Sequence, residues 1–296
     1  MMTELPLDQV RTLLAVVDEG TFDAAAAALH VTPSAVSQRV KALEQRTGRV
    51  LLVRTKPVRP TESGEVVVRF ARQLARLERD ALAELGMPGE GEVTRISVAV
   101  NADSLATWFL GALTRVPERE RLCFELRRED ETRTAELLRE GLVMAAVTSS
   151  PEAVAGCSVR GLGRMRYLAA ASPGFVSRYL EGSGREGLAE APVVTFDRSD
   201  DIQDGFLRRL GRGRASRVRH AVPASEGFVE AVALGLGWGM VPEIQAGPLL
   251  REGRLVSLVP DQPVDVPLHW QQWKLDSPAL AAVAEAVLVA ASETLR

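Results

Sequence analysis

TPSAVSQRVKALEQRTG, residues 32–48, is the stretch that decides the N-terminal fold. Its apolar residues Val36, Val40 and Leu43 recur at the spacing of one face of a helix. A threonine and a proline open the segment, as is favoured at the N-cap and the first helical position, and Gly48 follows its end. The segment is therefore predicted to be a short amphipathic helix.

The opposite face of this helix lacks the usual mixture of glutamate and lysine. Short or flexible hydrogen-bonding groups and one cation occupy it: Ser34, Ser37, Gln38, Lys41 and Gln45. Such groups suit base edges and phosphates, although a solvated surface helix would show the same pattern. The surrounding charge favours nucleic acid, because residues 31–61 hold seven Arg and Lys against one Glu in a chain of net charge -3.

Two further helices and a basic hairpin flank this segment. Apolar residues at helical spacing precede Gly20, and Thr21 can cap a second helix that runs through FDAAAAAL to Leu29. The run VLLVRTKPVRPTESG, residues 50–64, is broken by two prolines and reads as a short hairpin or wing. A winged helix-turn-helix is the economical interpretation.

Residues 21–64 resemble the N-terminal DNA-binding domain of LysR-type transcriptional regulators. The shared features are the A-A-x-x-L-x-x-T-P-S-A-V-S core, the L-E that follows it, an arginine in the wing and the P-T-x-x-G that opens the next helix. The resemblance implies that the third helix lies in the major groove. The DNA-contacting residues it favours are Thr32, Pro33, Ser34, Ser37, Gln38, Arg39, Lys41, Arg54 and Lys56.

The resemblance extends along the chain. VNADSLATWFL (residues 100–110) and EGFVEAVALGLGWGMVPEIQ (residues 226–245) resemble the branch of the family that includes the ArgP and LysG regulators of arginine and lysine transport. This implies that the C-terminal part is a two-lobed α/β sensor domain with the periplasmic-binding-protein fold. The chain would cross between its lobes near Gly163 and Val264, and the final helix would return to the first lobe.

A coiled-coil pattern follows the wing. The predicted dimerisation seam consists of Val67, Phe70, Leu74, Leu77 and Ala81. Arginines at positions 69, 72, 76 and 79 fall outside that seam. One seam needs a partner helix, so a homodimer or homotetramer is favoured over a helix packed within a monomer. The glycine-rich stretch 86–91 then reads as a hinge.

From Val93 onward, strands and helices alternate, which predicts a parallel sheet covered by helices. The expected domains are the winged helix-turn-helix at 1–61, the linker helix and hinge at 62–91, and the effector-binding domain at 92–296. Lobe I would comprise about 92–163 and 265–296, and lobe II about 164–264.

Loops that follow strands in such lobes line a cleft that helix N-termini face. The candidate effector residues are Asn101, Asp103, Ser104, Glu129, Asp130, Thr148, Ser149, Asp197, Ser225 and Glu226. Ser104 is the candidate for an α-carboxylate, and the acids would pair with a cationic side chain. A simple helix cap remains the alternative for each loop. The expected effector is a basic amino acid, lysine or arginine.

Other classes of function fit less well. The sequence shows no phosphate loop, no dinucleotide-binding glycine motif, no nucleophile elbow and no metal-ligand spacing, so neither an enzyme nor a cofactor is expected. Cys123 and Cys157 are expected to be buried thiols. We expect a cytoplasmic, nucleoid-associated regulator of a transporter or biosynthetic gene, with no membrane partner. A nucleoid-type DNA-binding protein without a ligand and a solute-binding protein are the alternatives.

Overall fold

The computed structural model describes residues 4–85, 87, 93–117, 122–129, 131–182 and 184–296. The helices are α1 (Leu7–Glu19), α2 (Phe22–Ala28), α3 (Pro33–Thr47), α4 (Glu62–Glu84), α5 (Ala102–Ser104), α6 (Leu110–Leu113), α7 (Glu131–Glu140), α8 (Pro173–Tyr179), α9 (Ile202–Arg209), α10 (Ser225–Ala233), α11 (Glu243–Arg251) and α12 (Pro278–Thr294). A π-helical segment, Leu105–Phe109, joins α5 to α6, and a 3-10 helix spans Gly184–Ala189. The strands are β1 (Leu52–Val53), β2 (Arg59–Pro60), β3 (Thr94–Val100), β4 (Leu122–Arg128), β5 (Ala145–Thr148), β6 (Cys157–Ala171), β7 (Val193–Thr195), β8 (Arg219–Ala221), β9 (Gly239–Pro242), β10 (Val256–Ser257) and β11 (Val264–Trp273).

The three N-terminal helices form as their sequence predicts. The Thr32 hydroxyl accepts the backbone N–H of Ala35 at 3.2 Å and so caps α3, which ends at Gly48 in the left-handed region with φ 64°. The predicted apolar stripe of α3 is buried against α1 and α2. Thr21 caps α2 in the same way, by accepting from Ala24 at 3.1 Å. The predicted winged helix-turn-helix is confirmed.

The wing and the linker helix are in close contact. Strands β1 and β2 pair antiparallel, with Leu52 opposite Pro60. Gly64, in the first turn of α4, has no room for a side chain, because a Cβ there would overlap the carbonyl oxygen of Leu51. The glycine of the P-T-x-x-G motif therefore lets the linker helix begin directly against the wing.

One side of the linker helix is covered within its own chain. Val67 is 7 % exposed and packs into the N-terminal core with Val68 and Ala71. Helix α4 also contacts α1 and, in the effector domain, α7. Val67, which the sequence assigned to the dimerisation seam, therefore packs within its own chain, because α1 supplies the apolar surface.

The main sheet of the effector domain has the order β10-β6-β11-β5-β3-β4, and β9 also pairs with β6. Strand β3 runs parallel to β4 and β5 as predicted. Strands β6 and β11 are long, pair antiparallel with each other and pair antiparallel with their other neighbours. The prediction of a wholly parallel sheet is thus wrong, because the chain passes between the lobes once in each direction.

The lobe crossing has an irregular backbone. The pairing of β6 with β11 shifts between Leu268 and His269, opposite the segment that contains Gly163, whose φ is 124°. The C-terminal residues close against this glycine, and Arg164 and Arg296 exchange backbone hydrogen bonds of 2.8 and 3.0 Å. The last helix thereby returns to the position where the two lobes meet.

The two cysteines differ in their surroundings. Cys157 is buried, and burial raises the pKa of its thiol to about 11. Cys123 is exposed, since it lies on β4 at the edge of the sheet, so the prediction that both thiols are buried is wrong for Cys123. Both cysteines are free thiols.

Candidate nucleic-acid interface and effector cleft

The polar face of α3 is open to solvent. Ser34, Gln38 and Lys41 are exposed, and the apolar stripe on the opposite side is fully buried. Ser34 lies 3.0 Å from the hydroxyl of Thr32, so the capped end of the helix presents two hydroxyls together. This face can reach base edges and phosphates without any repacking of the core.

Two of the candidate cations are held in place by the protein. The guanidinium of Arg54 lies 5.5 Å from the centre of the Phe22 ring, a cation–π contact that brings the wing beside α2. Arg39 leans towards α1, with its Nε 3.9 Å from a carboxylate oxygen of Asp8 and its Nη1 3.5 Å from Thr12 Oγ1. Arg54 is thus presented at the surface, while Arg39 links α3 to α1.

A cavity of about 430 Å³ lies between the wing and α3. Pro33 and Ser37 line it from the helix, and Arg54 and Lys56 line it from the wing. Four of the predicted DNA-contacting residues, two from the helix and two from the wing, therefore border the same concave surface.

A second cavity, of about 320 Å³, lies between the two lobes of the effector domain. Carboxylates from both lobes line it, namely Asp103, Glu129, Asp200 and Asp201. Its apolar walls are formed by Tyr167, Phe196, Phe228 and Met240. Asn101, Asp103, Glu129 and Ser149, which were candidates from the sequence, all line this cavity.

Asp103 is held by residues from two other elements. Tyr167 on β6 donates its hydroxyl proton to Asp103 Oδ2 at 2.6 Å, and Ser225 at the start of α10 donates to Oδ1 at 2.7 Å. Burial and the adjacent charge of Asp103 raise the pKa of Tyr167 well above its ordinary value, so the phenol stays protonated. Ser225 also lies 3.2 Å from Oε1 of Gln245 on α11.

Asp200 is the acid that faces the cavity from the loop before α9. Its carboxylate accepts the backbone N–H of Phe196 at 2.7 Å and of Ile202 at 3.2 Å, and Nε2 of Gln203 at 3.1 Å. Burial raises the pKa of Asp200 even though these hydrogen bonds oppose the shift. Burial therefore disfavours the charged form of Asp200, and a cationic partner in the cavity would favour it.

Asp197, the candidate from the sequence, shapes this loop and does not line the cavity. Its Oδ1 accepts from the backbone N–H and the hydroxyl of Ser199, both at 2.7 Å, and these hydrogen bonds lower the pKa of Asp197. The turn they form points the next acid, Asp200, inward.

Two buried acceptors in the cleft have no hydrogen-bond partner. They are Oδ1 of Asn101 and Oε1 of Gln203, one from each lobe. Buried polar atoms are normally satisfied, and these two oxygens are exceptions that lie closed off from solvent within residues lining the cleft. Asn101 occupies the N-cap of α5 but makes no side-chain capping bond, so its side chain does not block the first-turn N–H groups.

The remaining candidates lie elsewhere. Ser104 is fully buried outside the cavity lining, and its hydroxyl has no partner. Thr148 is buried and accepts the N–H of Ser150 at 3.2 Å, and Glu226 is exposed away from the cavity. Asp130 lies outside the described residues. Tyr167, Gln203 and Asp200 also line the cavity but were not among the effector residues predicted from the sequence.

The described residues contain no group of three or more His, Cys, Asp or Glu side chains that could hold a metal ion. Within the same part of the chain, no helix is both long and apolar enough to cross a bilayer.

Two sequence families match the chain. The bacterial regulatory helix-turn-helix proteins of the lysR family match residues 7–65, and the LysR substrate binding domain matches residues 89–291. The lysine export transcriptional regulatory protein LysG of Corynebacterium glutamicum is 45% identical, over 97% of this chain and 98% of its own.

Solved structures match over nearly the whole length. A crystal structure of ArgP from Mycobacterium tuberculosis superposes with a TM-score of 0.91 at 48% identity, covering 97% of this chain and 98% of that one. Full-length LysG from Corynebacterium glutamicum with bound effector Arg gives 0.88 at 44% identity, covering 98% and 99%. Another structure of full-length LysG from that organism gives 0.63 at 43% identity, covering 99% and 100%.

Proposed function

The chain belongs to the LysR family of bacterial transcriptional regulators, and on that premise we propose that it senses a free basic amino acid, arginine or lysine, in the cleft between its lobes. The protein is a DNA-binding regulator that works as an oligomer and has no need of catalytic chemistry. We place it in the bacterial cytoplasm with the nucleoid. We further propose domain boundaries at 61 and 91, and a transporter or biosynthetic gene as its target.

The charge of the cleft carries the proposal. Asp103 and Asp200 line the cavity from opposite lobes, together with Glu129 and Asp201. A guanidinium or ammonium group offers several N–H donors and a positive charge, which suits the carboxylates. A neutral or anionic ligand would leave the acids unpaired in a desolvated site.

The α-carboxylate of the ligand needs a different partner. Asn101 leaves the N-terminus of the helix α5–α6 uncapped by its side chain, so the first-turn N–H groups are oriented to accept an anion. Ser149 lines the same cavity and presents a hydroxyl. We assign the α-carboxylate of the ligand to this helix end and its distal cation to the acids. Backbone N–H groups, and not the buried hydroxyl of Ser104, would then bind the carboxylate.

The relatives support this ligand class. LysG from Corynebacterium glutamicum has been solved with bound effector Arg, and its chain is 44% identical to this one over nearly its full length. The acids of the present cleft suit the same ligand.

A calorimetric comparison of arginine with citrulline tests the proposal. Citrulline has nearly the same shape, but its ureido group is uncharged, so it should bind at least about a hundredfold more weakly if a carboxylate pairs with the guanidinium. At 100 times its dissociation constant, arginine should stabilise the protein by roughly 2.7 kcal/mol. A basic-amino-acid sensor would be contradicted if arginine and citrulline bound equally well. It would also be contradicted if neither arginine nor lysine bound.

DNA binding is measured on the same protein by fluorescence anisotropy with an operator duplex. A sensor should show a different affinity for DNA when saturated with the amino acid. A ligand-independent nucleoid protein would bind DNA equally with and without it.

A further inference from the structure

Arg76 of the linker helix is among the largest fully buried side chains of the described chain, at 2 % exposed. It lies between the seam residues Leu74 and Leu77 in sequence, and its polar character predicts a position in solvent. The structure instead places its side chain between α4 and the effector domain. A buried guanidinium needs hydrogen-bond acceptors for nearly all of its donors, and those acceptors identify what the residue holds.

The first partner lies on the same helix. Arg76 Nε donates to Asp80 Oδ2 at 3.0 Å, and Nη2 lies 2.7 Å from Asp80 Oδ1. This bidentate pair neutralises the buried charge and fixes the plane of the guanidinium. Asp80 therefore orients the arginine and leaves its other donors facing the effector domain.

The other partners belong to lobe I. Nη1 donates to the backbone carbonyl of Arg95 on β3, and Nη2 donates to the hydroxyl of Ser277, each at 3.3 Å. Ser277 is the N-cap residue of α12, yet its hydroxyl makes no capping bond to that helix. The Ser277 hydroxyl instead accepts a hydrogen bond from Arg76 of the linker helix.

Both lobe I partners belong to elements that support the effector cleft. Strand β3 begins next to Arg95 and ends at Val100, one residue before Asn101 in the cleft, a span of roughly 17 Å at about 3.3 Å per residue. Helix α12 packs against the π-helical segment and α6, which continue the helix that carries Asp103. A shift of the cleft helix upon ligand binding would thus act on both acceptors of Arg76.

Neighbouring contacts hold the same face of the linker helix. Arg72 donates to the backbone carbonyl of Glu140 at the end of α7 and pairs with Asp18 of α1 at 2.6 Å. Gly141 follows α7 with φ 72°, and a Cβ there would lie 3.2 Å from Arg69 Cα. The linker helix and lobe I are therefore in close backbone contact beside Arg76.

We infer that Arg76 is the positioning residue through which lobe I holds the linker helix, so that occupancy of the cleft alters DNA binding through this contact. This inference rests on the proposed function for the identity of the ligand, but not for the docking of the helix. The two solved LysG structures match this chain with TM-scores of 0.88 and 0.63, so that relative's chain occurs in two arrangements. A coupling residue must act on an element with at least two arrangements.

The test compares Arg76→Met and Arg76→Lys with Arg79→Met, which removes an exposed arginine from the same helix. In the ligand-free protein, hydrogen–deuterium exchange of backbone amides 70–82 should rise about tenfold or more in Arg76→Met and stay unchanged in Arg79→Met. Arg76→Lys keeps the positive charge but cannot make the bidentate contact of a guanidinium, so its amide exchange should be intermediate. This readout does not depend on the ligand, so it remains decisive even if no basic amino acid binds.

The second readout is the ratio of DNA affinities with and without arginine, which in a coupled regulator is roughly 5 to 150. In Arg76→Met the ratio should fall towards one while calorimetry shows arginine binding as in the wild type. Ser277→Ala removes only the acceptor hydroxyl, and it should lower the ratio without changing the fold, which covers the case that Arg76→Met does not fold. A wild-type ratio in both variants, or unchanged amide exchange, would overturn the inference. Failure of wild-type protein to bind arginine would instead overturn the proposed ligand.

Discussion

The phenolic hydroxyl of Tyr167 donates a 2.6 Å hydrogen bond to Oδ2 of Asp103, at the junction of the crossing strand β6 and the cleft helix. Ser225 on α10 donates to the other oxygen at 2.7 Å, so residues of two other elements fix the orientation of this carboxylate. Each oxygen keeps a further lone pair for a ligand. Since the pKa of Tyr167 is raised well above its ordinary value, Asp103 stays the acceptor at neutral pH.

Asp103→Asn should weaken arginine binding about a hundredfold or more, because the ligand cation would lose a charged partner inside the cleft. Calorimetry gives the dissociation constants. Glu226→Gln is the matched control, since this acid is exposed outside the cavity and its neutralisation should leave binding unchanged. Ligand-free DNA binding should be retained by both variants. Equal losses in the two variants would mean that general electrostatic attraction, and not the cleft, recruits the ligand.

The affinity for arginine should fall as the pH is lowered from neutrality, and the fall should begin above the range in which an ordinary aspartate titrates. An ordinary aspartate loses its charge near pH ~3.9, and burial raises the pKa of Asp200, so its charge is lost at a higher pH. Binding strength is therefore full above the raised pKa and declines as the pH falls through it. The guanidinium remains protonated throughout this range.

Calorimetry on Asp200→Asn assigns the pH effect, because Asp103, Glu129 and Asp201 face the same cavity. The variant should bind arginine more weakly at pH 8 and show a flatter profile. If the affinity of the wild type did not change with pH, no group in the cleft would titrate in this range. If the affinity of Asp200→Asn changed as steeply as that of the wild type, another group would be responsible.

Local patterns were enough to predict the DNA-binding domain. The stripe of α3, its threonine cap and its terminal glycine all lie within residues 32–48, and each acts over one or two helical turns. The antiparallel part of the sheet was not predictable in this way, because strand direction depends on where the chain returns. Helix α11 runs through Pro248, which contradicts helical propensity, so local preference alone would not predict it.

The cleft was only partly predictable for similar reasons. Asn101 and Asp103 follow a strand directly, so their place at the cleft can be read from the sequence. Asp197 and Asp200 lie three residues apart in one loop, and only the turn around Ser199 decides which of them faces inward. Tyr167 lies in β6, where arginines and apolar residues are interspersed, and this local pattern gives no sign of a polar partner. Distant residues determine these placements.

Leu77→Ala should weaken the oligomer, whereas Val67→Ala should lower thermal stability without affecting assembly. Leu77 is 42 % exposed in the single chain, and Phe70 and Leu82 are also open on this helix, so this strip needs a partner. Val67 is buried in the chain's own core, where loss of two methyl groups costs roughly 1–3 kcal/mol.

Sedimentation velocity and thermal denaturation separate these two effects. Arg72 falls outside the seam, but Arg72→Ala is not a neutral control. Arg72 pairs with Asp18 and with the backbone of Glu140. If Leu77→Ala and Phe70→Ala both assembled like the wild type, the effector domain alone would hold the oligomer.

Gln38→Ala should relax the preference for one base pair, whereas Arg54→Ala should weaken binding to every sequence. Gln38 is exposed on α3 and can make a bidentate contact with a base edge, whose loss costs about 1–3 kcal/mol at that position. Arg54 is presented from the wing by its contact with Phe22 and carries a charge suited to phosphate. Anisotropy titrations with operator variants at several salt concentrations distinguish the two roles, since loss of a phosphate contact lowers the slope of log affinity against log salt by about one. If Gln38→Ala discriminates among operator variants as the wild type does, α3 does not read bases through this residue, and an unchanged salt slope in Arg54→Ala would remove the wing arginine from the phosphate contacts.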